Sequence, residues 1–194
     1  MPELPITRQE ALELLRKYNK DQSDFIHYLE TEAIMRTLAR RLGEDVEYWM
    51  MLGLLHDVDW GITKDDVAKH LTKMPQILTG AGFDDEFINT VLSHGYGYEI
   101  VGMADKKRTR IIEHALACAE TVTGLIHAYA LVRQGKISGM KVQGLKKKFK
   151  DKNFAAKVSR SIIRECEHLS LTLDEFFELA IQAIIEIRED VGLK

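Results

Sequence analysis

Proline and cysteine are scarce in this chain of 194 residues, which has three of the first and two of the second. So few prolines leave helices largely uninterrupted, because each proline removes a backbone donor and crowds the preceding turn. Cys118 and Cys166 stand in apolar helical patterns and make no C-x-x-C pair. A disulfide framework is therefore not expected, and buried free thiols are. Charge of one sign is also lacking: the net charge is −3, which gives no overall pull toward nucleic acid or an anionic membrane, so any anion-binding surface must be local. No uninterrupted apolar run approaches the ~20 residues needed to cross a bilayer. The opening stretch MPELPITRQEALELLRKY lacks a charged start followed by an apolar block, so no signal peptide is read and a cytoplasmic location is expected. Alternating segments of strand length are missing too, and an all-α protein follows.

What is present is helical periodicity almost throughout. Thr7 and Glu10 form a T-x-x-E capping signal for a first helix reaching about Tyr18. A second runs from about Ser23 to Leu42, with Gly43 as its stop. The third, Val46 to Leu55, reads VEYWMMLGLL and is apolar on nearly every side, so it belongs at the centre of a bundle. Further helices are expected near Val67–Leu78, from Asp84 or Asp85 to near His94, from about Arg108 to Arg133, at Phe154–His168, and from Thr172 to about Val191. The glycine-rich segment GYGYEIVGMADKKR reads as an irregular edge of a binding site. Lys136–Lys152 reads as a lysine-rich connection.

His56-Asp57 is the most informative pair, because it ends the apolar third helix. Adjacent imidazole and carboxylate groups half-buried there are costly unless paired or bound to a cation, and the carbonyls of a helix C-terminus favour positive charge. His27 shares a helical stripe with Ile34 and Leu38 and so points inward. Glu120 lies midway along the long apolar helix, beside the stripe of Ile112, Leu116, Ala119 and Ile126, with Gly124 leaving space one turn later. Imidazole and carboxylate together make a mixed nitrogen and oxygen donor set suited to Zn, Mn, Fe, Co or Ni.

The order His27, His56-Asp57 and a late acidic residue resembles the H…HD…D signature of the HD superfamily of metal-dependent phosphohydrolases. The stretches GLLHDVDW, AETVTGLIHAYALVR and KVQGLKKKFKDKNFA resemble an uncharacterised bacterial HD or HDIG-domain branch. The resemblance implies one HD-type helical bundle, with a core at about 20–135 and C-terminal helices at about 140–194 packed on it. It also implies one or two divalent transition-metal ions. Members with two ions add two histidines between the HD pair and the final acid, and His70 and His94 fall there in the right order. Two departures stand out: Glu120 replaces the branch's aspartate, and Val58-Asp59 replaces the isoleucine-glycine of HDIG.

The expected activity is hydrolysis of a small phosphomonoester or phosphodiester, with nucleotides among the candidates. Asp57 would ligate metal and orient the attacking water, with Asp59 as an auxiliary. Lys148, Lys157 and Arg160, in a basic stretch ending at Arg164, are candidate phosphate-binding residues; the alternative is a solvated charged face. Nucleic acid is a less expected partner because stacking aromatics near that stretch are sparse, Phe149 and Phe154 alone. Trp60 and Tyr96-Gly97-Tyr98 are candidate walls of the site, whereas Tyr48-Trp49 and Phe176-Phe177 read as core. His127 could line the site, and His114 and His168 read as partly exposed. Two other readings remain open: a di-iron oxygenase, which requires His70 and His94 as ligands, and a non-catalytic metal- or nucleotide-binding module.

Overall fold

The computed structural model describes residues 3–194, and no strand occurs among them. Thr7 opens α1 (Arg8–Tyr18) with a full capping box, its hydroxyl accepting the Glu10 amide while the Glu10 carboxylate accepts the Thr7 amide at 2.7 Å. After α2 (Gln22–Leu42) the chain turns at Gly43, whose left-handed φ of 74° suits a residue without a Cβ. Asp45 then caps α3 (Val46–Leu55) by accepting the Tyr48 amide at 3.0 Å.

α2 and α3 approach closely because Gly53 has no side chain; a Cβ there would meet the Thr31 carbonyl oxygen at 2.9 Å and the Glu32 Cα at 3.0 Å. Beyond α3 come α4 (Trp60–Thr63), a 3-10 turn at Val67–Lys69, α5 (Met74–Gly80) and α6 (Asp85–Leu92). A second 3-10 turn, Ser93–Gly95, precedes an irregular stretch and α7 (Ile111–Val132). α7 is long and apolar enough, by length and composition, to cross a bilayer, which departs from the reading that no segment approaches that size; most of it is buried inside the bundle.

α2, α3 and α7 form the middle of the molecule. Around them pack α8 (Val142–Lys150), α9 (Arg160–Ile163), a 3-10 turn at Arg164–Leu169 and α10 (Leu173–Glu186), which starts on a second capping box at Thr172 and Glu175. Tyr48, Trp49, Phe176 and Phe177 are all buried, and Cys118 and Cys166 are buried free thiols, as expected.

Three departures from the helical reading have physical causes. The segment Val67–Leu78 is broken, because Leu71 adopts a left-handed φ of 66° and Pro75 stands in the first turn of α5. Proline is favoured there, where its missing donor has no partner to lose. The lysine-rich connection contains a helix of its own, α8, whose buried side chains are Leu145 and Phe149. Phe154–His168 is only partly helical. Ala155 is left-handed (φ 45°), and the Arg160 guanidinium collects carbonyls around it, among them Ala155 and Val158 at 2.7 Å each.

Gly53→Ala should push α2 and α3 apart and cost about 1–3 kcal/mol of stability, read as a lower urea midpoint at unchanged slope.

Candidate metal centre

Four histidine side chains converge on the Asp57 carboxylate. His27 comes from α2, His56 and Asp57 from the end of α3, His70 from the break before α5, and His94 from the 3-10 turn after α6. The His27, His56 and His70 Nε2 atoms lie 3.7, 3.5 and 3.0 Å from Asp57, and the His94 Nε2 lies at 3.2 Å. The first two histidines face Oδ2 and the last two face Oδ1. His27, His56 and Asp57 form one group able to hold an ion, and Asp57, His70 and His94 form a second. Asp57 therefore occupies a bridging position.

The histidines are turned toward this carboxylate by what their other nitrogens bond. His56 Nδ1 donates to the Gly53 carbonyl at 2.8 Å, and His94 Nδ1 to the Val91 carbonyl at 2.7 Å. His27 Nδ1 donates to Thr123 Oγ1 at 2.9 Å, whose own proton goes to the Glu120 carbonyl at 2.6 Å. With Nδ1 protonated, each Nε2 carries a lone pair, the form a metal ligand needs. His27 Nε2 and His56 Nε2 then face each other at 2.9 Å, which is repulsive without a cation between them. Asp57 Oδ1 is buried and accepts no well-formed hydrogen bond despite two imidazole nitrogens nearby. An orphaned buried carboxylate oxygen among imidazole lone pairs fits a divalent transition-metal ion.

The electrostatics agree. Burial lowers the His27 pKa and takes His56 down to about 3, so both are neutral. Burial alone would raise Asp57, but the imidazole surroundings, with a protonated His70 facing Oδ1, hold it well below the usual carboxylate range. His70 differs: burial would lower it, yet Asp57 and Asp59 together lift it to about 10. The one proton held between those carboxylates stands where a metal cation would.

Asp59 does not face the centre, which corrects its expected role as an auxiliary to the attacking water. It is fully buried, and its carboxylate accepts the amides of Leu71, Lys73 and Met74 at 3.3, 3.0 and 3.1 Å. It also lies 3.2 Å from His70 Nδ1, a close contact rather than a well-formed hydrogen bond. Asp59 thus fixes the break in the chain that aims His70.

Glu120 lines the same cavity as Asp57, His70 and His94 but belongs to neither ligand group. Its carboxylate accepts the Thr121 hydroxyl, and burial pushes its pKa up to about 7. Gly124 does not line this cavity; it lines a separate one of about 290 Å³ with His27, Thr123 and His127. The cavity, of about 680 Å³, also has Trp60 and Tyr98 among its walls, whereas Tyr96 lies outside it.

Lys148, Lys157 and Arg160 do not line this cavity, which corrects the expected phosphate site beside the metal. Arg160 is consumed by backbone carbonyls, the Lys148 ammonium sits over the Phe154 ring at 4.7 Å, and Lys157 is exposed. His127 pairs with the buried Glu30 at 2.7 Å. His114 is more enclosed than expected, bonded to Glu165 at 2.7 Å and stacked on His168 at 4.1 Å.

Several supporting residues escaped the sequence reading. Asn19 braces the loop after the HD pair, donating to the Val58 carbonyl at 3.0 Å and accepting the Gly61 amide at 2.7 Å. Arg108 donates to the carbonyls of Ser93, His94 and Tyr96 at 2.8, 3.3 and 3.0 Å while Glu165 grips its other nitrogens at 2.6 Å each. Asn19 and Arg108 carry no motif, and Thr123 lies within AETVTGLIHAYALVR without a chemistry that singles it out.

A family model described as HD domain matches residues 24–120, half of the chain, and the chain belongs to that family. The matched segment contains His27, His56, Asp57, His70, His94 and Glu120. HD-domain proteins are mostly metal-dependent hydrolases that bind divalent metals. Comparisons with curated proteins and with solved structures found no match.

Arg108→Gln should loosen the turn carrying His94. The expected result in a metal titration is about tenfold weaker binding of one ion, with the ion held by His27 and His56 unaffected.

Proposed function

We propose, on the premise that this is an HD-domain chain, that it is a metal-dependent phosphohydrolase cleaving a small phosphomonoester or phosphodiester, with nucleoside monophosphates in its range. The observation that carries the reading is the double donor set sharing Asp57, with His27 and His56 on one side and His70 and His94 on the other. Mn, Fe, Co, Ni and Zn all suit such donors.

When bound, a divalent ion supplies Lewis acidity, polarising a phosphoryl oxygen and making hydroxide available near neutral pH. The protein's own part is orientation and proton handling. Asp57 spans both positions and orients the attacking water. His27, His56 and His94 would hold their Nε2 atoms toward the ions through the hydrogen bonds at Nδ1, and His70 through the chain break that Asp59 fixes. Glu120, with a pKa near 7 and a place on the cavity wall, can take a proton from water or return one to the leaving oxygen at its carboxylate. The surrounding burial keeps the reacting groups away from bulk water, where each of these interactions would be weaker.

A second reading has support from the same convergence. Two adjacent positions with four histidines and a bridging carboxylate also suit a di-iron oxygenase. Elemental analysis of protein purified without chelators separates the two. Two ions per chain and turnover of phosphoesters with Mn, Co, Ni, Mg or Zn are expected; iron with a visible absorption band and no phosphatase or nucleotidase turnover would instead favour the oxygenase.

Metal affinity should rise with pH between about 7 and 9. His70, lifted to about 10, is protonated in the metal-free protein at neutral pH, and a cation must displace that proton to reach Nε2. Affinity is therefore lost as pH falls, by up to about tenfold per pH unit for one displaced proton. Calorimetry in two buffers of different ionisation enthalpy should show proton release on binding, and His70→Gln should abolish most of it.

A further inference from the structure

The cavity at the metal centre has a charge inventory that selects among phosphorylated molecules. Besides His70, His94 and Tyr98, its titratable walls are Asp57, Glu99 and Glu120, all carboxylates, and no lysine or arginine lines it. Nearby basic residues are paired elsewhere: Arg108 with Glu165 and three carbonyls, Lys69 with Asp66 at 2.9 Å, and Arg160 with the backbone around Ala155. Any negative charge on a ligand must then be met by the metal ions alone. A second anionic group, held away from the ions, would lie against carboxylates.

The rest of the wall is apolar and aromatic. The Trp60 ring packs edge-on against His70 at 5.1 Å, beside the second ligand group. Tyr98 stands on the Glu120 side, 37% exposed, with burial and the Glu120 carboxylate raising its phenol pKa to about 12. The loop carrying Tyr98 is tied to the Val67 turn by a bond from the Val101 amide to the Ala68 carbonyl at 3.0 Å, and both Val67 and Val101 expose more than half of their surface. Val67 thus adds exposed apolar surface to the cavity wall, and Val101 adds more on the loop bonded to it.

We infer that the substrate carries a single phosphoryl group and that the rest of it is an uncharged, flat or apolar moiety held between Trp60 and Tyr98, so that polyphosphates are disfavoured. The volume of about 680 Å³ accommodates a molecule of that size. Aromatic walls supply contact area at low entropic cost, and a second anion would be buried without a partner. The inference rests on the hydrolase reading for what happens to the bound molecule, but the binding preference is a property of the cavity itself.

The test is calorimetric titration of the manganese-loaded protein with three non-hydrolysable probes: inorganic phosphate, phenylphosphonate and 4-carboxyphenylphosphonate. Phenylphosphonate should bind about tenfold more tightly than phosphate, the added carboxylate should remove that gain, and Trp60→Ala and Tyr98→Ala should each lose most of the preference for phenylphosphonate over phosphate. Trp60→Phe should retain the preference, which separates a lost ring from a damaged fold. Phosphate binding as tightly as phenylphosphonate, the carboxylated probe binding equally well, or no probe binding at all would overturn the inference. Failure of phenyl phosphate to be hydrolysed, with the binding order intact, would end the hydrolase reading and still support this one.

Discussion

A largely buried carboxylate held among four imidazole nitrogens makes a demand that the surrounding protein is built to meet. Asp57 leaves Oδ1 without a well-formed hydrogen bond, and His27 and His56 direct lone pairs at each other across 2.9 Å. Such a cluster relaxes only if a positive charge enters it, and the proton lifted onto His70 shows how strongly it attracts one. In the apolar interior an unpaired polar group costs on the order of 1–3 kcal/mol, so the arrangement persists because neighbouring groups fix every member of it.

Those neighbours divide into two kinds. The side of the centre that holds His27 and His56 rests on regular structure, with α2 and α3 pressed together at Gly53 and Thr123 bridging from α7. The side that holds His70 and His94 rests on irregular backbone, where no helical ladder fixes the chain. There the fixing is done by buried polar side chains: Asp59 takes three amides, Arg108 takes three carbonyls, and Asn19 ties the intervening loop. A left-handed leucine beside His70 costs roughly 1–3 kcal/mol and is tolerated because Asp59 holds the amides around it. Gly95, next to His94, gives that leucine its room, since a Cβ there would lie 2.4 Å from Leu71 Cδ1. Glu165, which grips Arg108, lies beyond the segment that matches the family model, so the C-terminal part of the chain supports a ligand it does not itself contain.

The distribution of charge follows the same division of labour. The basic stretch after α7 reads in sequence as an anion-binding surface, yet Arg160 works as an internal cap for a loop with few hydrogen bonds of its own, and Lys148 packs on aromatic rings. The metal cavity receives none of these cations, and its selectivity for what enters is set by aromatic walls and carboxylates instead.

The helical class, the Thr7 capping box and the central place of the third helix were legible in the chain because each depends on local spacing, whereas the grouping of His27 with His56 and Asp57 was legible through the order that resembles the HD signature. The positions of His70 and His94 were legible as an order of residues but not as geometry: both sit on turns whose shape is set by side chains far away in sequence. The same distance hid Thr123, Asn19 and Arg108, and it allowed Asp59 and Arg160 to be read as groups facing a substrate when both face backbone. Periodicity reports which side of an element is apolar. Where that side breaks, the direction of a side chain depends on which distant donor or acceptor reaches it first, and only the assembled tertiary structure decides that.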